Sequence, residues 1–272
     1  MLNLHEIYKP TTLADALKQL QQPDTVALAG GTELIAGARH DIHAVVDLSA
    51  LRLSYIRESG GSIAIGATTT LAELAESPIL RAVANGVVAQ AAHRSAANVL
   101  RNQETVAGTL IVEPDSLLAV TLLALDARAT VVRKETRAIP LYDFLPMREH
   151  LLMMALLTEI NIPIANPNAS LQIVARTPSD KPIVSVCAIA YIDSGMVRLS
   201  RIALGGIAET AVRITDAEKE IQGKGLSESV IEKSVEVIGR SSLQPRGDYR
   251  GSTEYRKEMA TVLARRALKE LI

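Results

Sequence analysis

Apolar residues in the first half of the chain fall into short β-branched runs separated by turn residues, with three- and four-residue spacing between the runs. Thr25-Val26-Ala27-Leu28-Ala29 reads as a strand that stops at Gly30-Gly31. Glu33 to Arg39 fits a short helix, and Ala44 to Leu48 and Ser62 to Gly66 read as further strands. Thr70 and Glu73 stand at capping-box spacing, with Leu71 and Leu74 opening an apolar face, so a helix starts there. Pro78 suits the first position of a longer helix through Leu80, Val83, Val87, Val88 and Ala91, ending near Ser95. A loop from Asn98 to Gly108 precedes Leu117 to Leu125, which is apolar on almost every side and predicts a buried helix. Ala129 to Arg133 and Leu157 to Ile162 read as strands.

The Pro- and Asn-rich stretch from Asn161 to Asn168 has the composition of a connection between domains and places a boundary near residue 165. Beyond it the pattern changes. Leu171 to Ala175, Ile183 to Ile192 and Val197 to Leu204 predict a three-stranded antiparallel sheet, with turns at Pro178-Ser179-Asp180 and Asp193-Ser194-Gly195. Two or three helices follow. In the last, Tyr255, Met259, Val262, Leu263 and Ala267 form the apolar stripe and Arg256, Lys257, Arg265 and Lys269 lie elsewhere. Strands followed by helices predict an α+β domain.

Composition narrows the function. The chain has 272 residues, enough for one large or two modest domains, and its 29 basic and 30 acidic side chains nearly balance. With that balance, no Trp and a single Phe (Phe144), it lacks the clustered cations and stacking faces of a nucleic-acid binder. Its apolar runs fall short of the ~20 residues of a membrane span, and the start lacks a basic segment leading into an apolar one, so a soluble, cytoplasmic protein is expected. The lone Cys187 excludes an internal disulfide or a cysteine-ligated cluster made by this chain alone. Its apolar surroundings predict a buried, inert thiol. His40 and His43 flank Asp41 without helical spacing or a third ligand, so no metal site is expected. No Ser-His-Asp set, HExxH or P-loop is present, which leaves no catalytic residues of the chain's own and assigns any chemistry to a cofactor.

Two segments are suited to hold one. Leu28-Ala29-Gly30-Gly31-Thr32-Glu33-Leu34-Ile35 puts two glycines between a strand and a helix, where backbone N–H groups can converge on an anion, although the pair alone is better explained by a tight turn and needs a second element. Arg101-Asn102-Gln103-Glu104-Thr105-Val106-Ala107-Gly108-Thr109 again sets small and hydroxyl residues before an apolar helix, and also fits an ordinary loop with local side-chain bonds.

Together these segments resemble the flavoprotein (medium) subunit of the molybdenum hydroxylases, the family of xanthine dehydrogenase and aerobic carbon monoxide dehydrogenase. Ala29-Gly30-Gly31-Thr32-Glu33-Leu34 is similar to the family's AGGTDL loop, Ile65-Gly66-Ala67-Thr68-Thr69 to its IGA-T-T segment, and the Arg101–Thr109 stretch to RNxGTxGGN. Leu122 to Ala127 resembles LLALDA, Leu157 to Pro163 LTEIxIP, Ile202 to Ala208 IALGGVA, and Arg250 to Arg256 RGSAEYR. The series runs in order over nearly the whole chain.

The resemblance implies an α+β, two-subdomain, PCMH-like FAD-binding unit over residues 1–165, split near residue 55, and a C-terminal flavoprotein domain over 166–272. It implies FAD held by Leu28 to Ile35 and by Thr105, Val106, Ala107, Gly108 and Thr109, with Asp115 at the ribityl chain, Leu157 by the flavin ring and Gln172 nearby. It further implies a molybdopterin-binding large subunit, a 2Fe-2S small subunit, and NAD+ or another acceptor, in an oxidoreductase subunit inactive alone on the organic substrate. Three positions depart from the family. Ala107-Gly108-Thr109 replaces GGN, Asp115-Ser116 replaces a Ser-Asp pair at shifted spacing, and Gln172 stands where many members have Lys. An added methyl at a close contact costs about 1–3 kcal/mol if accommodated by strain, and a lost amide bond about 1 kcal/mol. Weakened FAD binding, or a flavin-free scaffold, is the alternative these changes raise.

Overall fold

The computed structural model describes residues 4–37, 40–164, 166–177 and 180–272. The chain opens with β1 (Glu6–Tyr8), α1 (Leu13–Gln19), β2 (Thr25–Leu28), α2 (Thr32–Ala36) and β3 (Ala44–Asp47). β1 and β2 both pair parallel with β3, in the order β1-β3-β2. Thr12 caps α1 through its side chain. Ala16, Val46, Leu48 and Leu156 form a small core under this sheet. The helix expected over 33–39 is observed as α2, and residues 38–39 lie outside the described residues.

The larger lobe comprises β4 (Ile56–Ser59), β5 (Ser62–Gly66), α3 (Leu71–Glu76), α4 (Pro78–Ala82), α5 (Val87–Ser95), α6 (Asn98–Arg101), α7 (Val106–Val112), α8 (Leu117–Ala124), β6 (Arg128–Val132), β7 (Thr136–Pro140), α9 (Leu141–Leu151) and β8 (Leu156–Pro163). Its strands form an antiparallel five-stranded sheet in the order β4-β5-β8-β6-β7. The capping box at Thr70 and Glu73 is formed as its spacing requires. The single helix expected from Pro78 to Ser95 is instead α4 and α5, broken at Ala84, Asn85 and Gly86, whose φ values are 50°, 53° and 70°. Asn and Gly tolerate that left-handed backbone, and the break is anchored across the molecule. The Ala84 N–H donates to Asn166 Oδ1, and Asn85 Nδ2 donates to the Ala169 carbonyl.

The remainder contains β9 (Asn168–Val174), β10 (Val184–Asp193), β11 (Met196–Gly205), β12 (Val212–Arg213), α10 (Thr215–Ile221), α11 (Glu228–Gly239) and α12 (Thr253–Lys269). The antiparallel sheet has four strands, β12-β11-β10-β9, not the expected three. β12 is two residues long, too short to carry a period-two pattern. The turn at Pro178-Ser179 and the boundary residue Ala165 lie outside the described residues.

One face of this sheet completes the core of the larger lobe, to which Ala169, Leu171, Cys187, Ile189 and Ala203 contribute. The other face packs on α10 to α12. α8 lies within the shared core, and every one of its residues is buried, which is why its sequence is apolar all round. The buried face of α12 is rotated by about one residue from the expected stripe. Arg256, Ala260, Leu263, Ala264, Ala267 and Leu268 are buried, and Tyr255 is exposed. Arg256 is inside because its guanidinium is fully engaged: it donates to the carbonyls of Ile183, Gly206 and Gly251 and to Asp248. Among the described residues no single helix is long and apolar enough to cross a membrane; α7 and α8 meet such a test only as a pair bent by 102°.

Candidate functional site

The two glycines after β2 do different work. Gly31 has φ 72° and caps α2 in the left-handed region, so it answers the tight-turn reading. Gly30 instead admits a close approach of the protein's own main chain. A Cβ there would lie 1.7 Å from the Gln103 carbonyl oxygen. The main chain of the second small-residue loop is thus seated directly on the first.

The left-handed Gly31 followed by right-handed α2 turns successive N–H groups to one side, the geometry of an anion-binding nest. Among the described residues, the amides of Gly30, Gly31, Thr32, Glu33 and Leu34 donate to no protein acceptor, and the first helical bond is Ile35 N–H to the Gly31 carbonyl. A half-buried run of unpartnered donors is what a diphosphate requires. Leu28 and Ile35 pack beside Gly31, and Ile35 is largely exposed.

The second loop is built the other way. Thr105 caps α7, accepting from the Gly108 N–H at 3.2 Å. The Val106 N–H donates to the Thr69 carbonyl at 2.9 Å, and the Ala107 N–H to the Ala67 carbonyl at 3.1 Å. The Thr109 hydroxyl donates to the Thr105 carbonyl. Its amides are therefore committed within the protein, and Ala107, Thr105 and Thr109 are buried.

From Gln103 the chain leads through Glu104 toward a cleft of about 80 Å³ between the lobes, lined by Asp115, Ser116, Lys181, Ser185, Gly205 and Arg250 among others. Gly205 permits this packing, since a Cβ there would fall 2.5 Å from the Asp115 carbonyl oxygen. The Ala211 N–H ties the same turn to the C-terminal domain by donating to the Pro114 carbonyl. Burial raises the Asp115 carboxyl pKa, helped by the charge of Glu113 and opposed by Lys181 and Arg250. Glu104 is also raised, first by burial and then by Glu113, with Lys181 opposing. Lys181 itself pairs with Glu113.

The structure therefore seats the Gln103–Thr109 loop on the glycine loop and places Asp115 in the cleft between the lobes. Leu157 is buried in the main core on β8. Gln172 lies on the sheet face turned to α12: its side chain donates to Ser170, which in turn donates to Glu270, whereas Leu171 faces the opposite way into the main core. Lys181 and Arg250, cations that sequence reasoning did not single out, line the cleft instead. Arg250 stands in a motif read only as resemblance, and Lys181 follows a turn without other distinction. Cys187 is inert as expected: it is fully buried and its thiol pKa is pushed up to about 12 by burial.

Comparison with known proteins identifies the family and the fold. The model of the FAD binding domain in molybdopterin dehydrogenase matches residues 3–165, and that of the CO dehydrogenase flavoprotein C-terminal domain matches residues 169–271. The chain is 26% identical to the glyceraldehyde dehydrogenase medium chain of Sulfolobus acidocaldarius, covering 96% of this chain and 95% of that one. It is also 26% identical to the carbon monoxide dehydrogenase medium chain of Hydrogenophaga pseudoflava, over 97% and 95%. The reconstituted CO dehydrogenase from Oligotropha carboxidovorans superposes with a TM-score of 0.89 at 26% identity, over 97% and 96%.

A fold matched over nearly the whole chain by these two flavoprotein family models defines an FAD-binding oxidoreductase subunit. The chain belongs to the molybdopterin dehydrogenase FAD-binding family, as a medium subunit of the carbon monoxide and xanthine dehydrogenase type, and its cofactor is FAD.

Proposed function

We propose that this chain carries FAD as the electron-transfer subunit of a molybdenum hydroxylase complex, standing between a partner's 2Fe-2S centre and NAD+ or another acceptor. When bound, FAD supplies the chemistry of accepting and passing on electrons; this chain supplies position and charge. The reading rests above all on the unpartnered amides from Gly30 to Leu34, which would hold the diphosphate with Leu28, Ala29 and Ile35 around them. The loop from Thr105 to Thr109 would close over the same group, with Asp115 toward the ribityl chain and Leu157 behind the ring. Gln172, facing α12, would act only indirectly. The FAD unit would span residues 1–165, split near 55, and the C-terminal domain 166–272. A molybdopterin-binding large subunit and a 2Fe-2S small subunit would be the partners, and the chain alone would turn over neither purine nor aldehyde.

A second reading, a flavin-weakened or flavin-free scaffold of the same complex, is favoured by one observation: the Val106, Ala107 and Gly108 amides already have protein acceptors. One experiment separates the two. The tagged chain, purified from its own host, is assayed for FAD, iron and molybdenum. Electron transfer predicts all three in the wild type, and retention of both metals with loss of most FAD in Gly30→Ala, because the new methyl displaces Gln103 from the first loop. Metals without FAD in the wild type would establish the scaffold; a chain that brings neither metal would contradict both readings.

A further inference from the structure

The segment from Gly66 to Thr70 is bonded on both sides. On one side the Gly66 N–H donates to the Tyr55 carbonyl at 2.9 Å and the Thr68 N–H to the Leu53 carbonyl at 3.0 Å. On the other, the Thr69 and Ala67 carbonyls accept from the Val106 and Ala107 amides, and the Leu71 N–H donates to the Glu104 carbonyl at 2.9 Å. Thr69 belongs to both sides at once. Its hydroxyl accepts from the Tyr55 N–H at 3.0 Å and donates to the Tyr55 carbonyl at 3.1 Å, while its own carbonyl holds Val106. The residue is 1% exposed, so no water can take over these bonds. Gly66 allows the strand to approach this closely, since a Cβ there would lie 2.1 Å from the Leu53 carbonyl oxygen.

The consequence reaches the amide nest. The second loop's Gln103 carbonyl rests on Gly30, and the stretch from Glu104 to Ala107 is held by the Ala67–Leu71 segment. Where the second loop lies against the nest is thus fixed from behind, by a clasp built on the Tyr55 and Thr69 main chain.

We propose that Thr69 is a positioning residue for the cofactor site: its hydroxyl, by gripping both main-chain groups of Tyr55, sets the seat of the Gln103–Thr109 loop on the glycine nest and thereby the affinity for FAD. This rests on the reading of the two loops as the FAD site. The Arg57 guanidinium stacked 4.5 Å from the Tyr55 ring centre, and the Tyr55 hydroxyl donating to Glu159 at 2.7 Å, hold the far end of the clasp on β8.

The test uses the full-length chain, titrated with FAD and read by visible absorbance and by the flavin's circular dichroism. Thr69→Val keeps the shape and removes both hydroxyl bonds; Thr69→Ser keeps them. The expected result is an FAD Kd about 10-fold or more weaker for Thr69→Val with an altered flavin circular dichroism band, and Thr69→Ser within about 3-fold of wild type. A Thr69→Val chain that folds, melts lower and binds FAD as wild type does would overturn the proposal, because the hydroxyl would then serve stability alone. Should Thr69→Val fail to fold, amide hydrogen exchange on the wild type decides: FAD must slow the Tyr55, Thr69 and Val106 amides together with those of Gly30 to Leu34, and protection confined to the nest overturns it. A wild type that takes up no FAD under any condition overturns the underlying reading first, and the proposal with it.

Discussion

Single residues carry the electrostatics of the cleft. Glu113 and Asp115 face Lys181 and Arg250 there, and Glu104 feels the charges of Glu113 and Lys181, so carboxylates outnumber cations beside the proposed FAD site. Glu104 and Asp115 both have raised pKa values, burial being the larger cause. A carboxyl whose pKa is higher folded than unfolded makes the fold bind more protons, so its penalty is absent below the unfolded carboxylate pKa and grows as pH rises through the raised value. An anionic cofactor raises those values further, which couples proton uptake to binding. FAD affinity is therefore expected to fall as pH rises above the ordinary carboxylate range and through the raised values of these groups, and Glu104→Gln to flatten that dependence while tightening binding at the upper end. Fluorescence titrations across the range check it; a wild-type Kd independent of pH would refute the linkage. Of these groups only Asp115 was singled out from the sequence, through the family resemblance, because burial by segments distant in the chain leaves no local signature.

At the level of elements, residue patterning located strands β2, β3, β5, β6 and β8 to β11 within a few residues, and it identified α8 as buried because a helix apolar on every side has only one stable place. It failed where a tertiary contact decides. Ala84 to Gly86 reads as helix by spacing, yet the left-handed turn is anchored to Asn166 and Ala169, some eighty positions away in sequence. Arg256 reads as a solvated cation, yet it ends in a ring of main-chain carbonyls that no sequence pattern marks. The site was legible in part for the same reason: glycines and a Thr cap announce the two loops, whereas the clasp behind them consists of backbone bonds made by ordinary residues. Arg256 also gives an expectation. Its Nη1 bonds to the Ile183 and Gly206 carbonyls at 2.7 and 2.9 Å, and its Nη2 bonds to Asp248 at 2.8 Å. Arg256→Met leaves the Ile183 and Gly206 carbonyls unpaired in a buried site while Asp248 keeps its bonds to Arg250, a loss of about 2–4 kcal/mol in urea unfolding. A loss below about 1 kcal/mol would show that water replaces the guanidinium there.

For the whole molecule, the C-terminal domain is more than an appendage. One face of its sheet closes the core of the FAD lobe around α8, and its Gly205 and Arg250 complete the cleft. The other face gives α10 to α12 their own core. The small N-terminal sheet contributes the amide nest and rests on the larger lobe through Leu156 and through Gly30 seated against Gln103. Each of the three lobes thus contributes to the two loops or to the cleft, where FAD is proposed to lie. That arrangement is central to the account, and the absorbance spectrum of the purified full-length chain tests it most directly, recorded before and after excess FAD is added and the unbound fraction removed. Oxidised-flavin bands at close to one FAD per chain are the expected result. A chain that stays colourless after FAD is supplied would contradict it, and would mean that the open amides of the glycine loop do not by themselves make a flavin site.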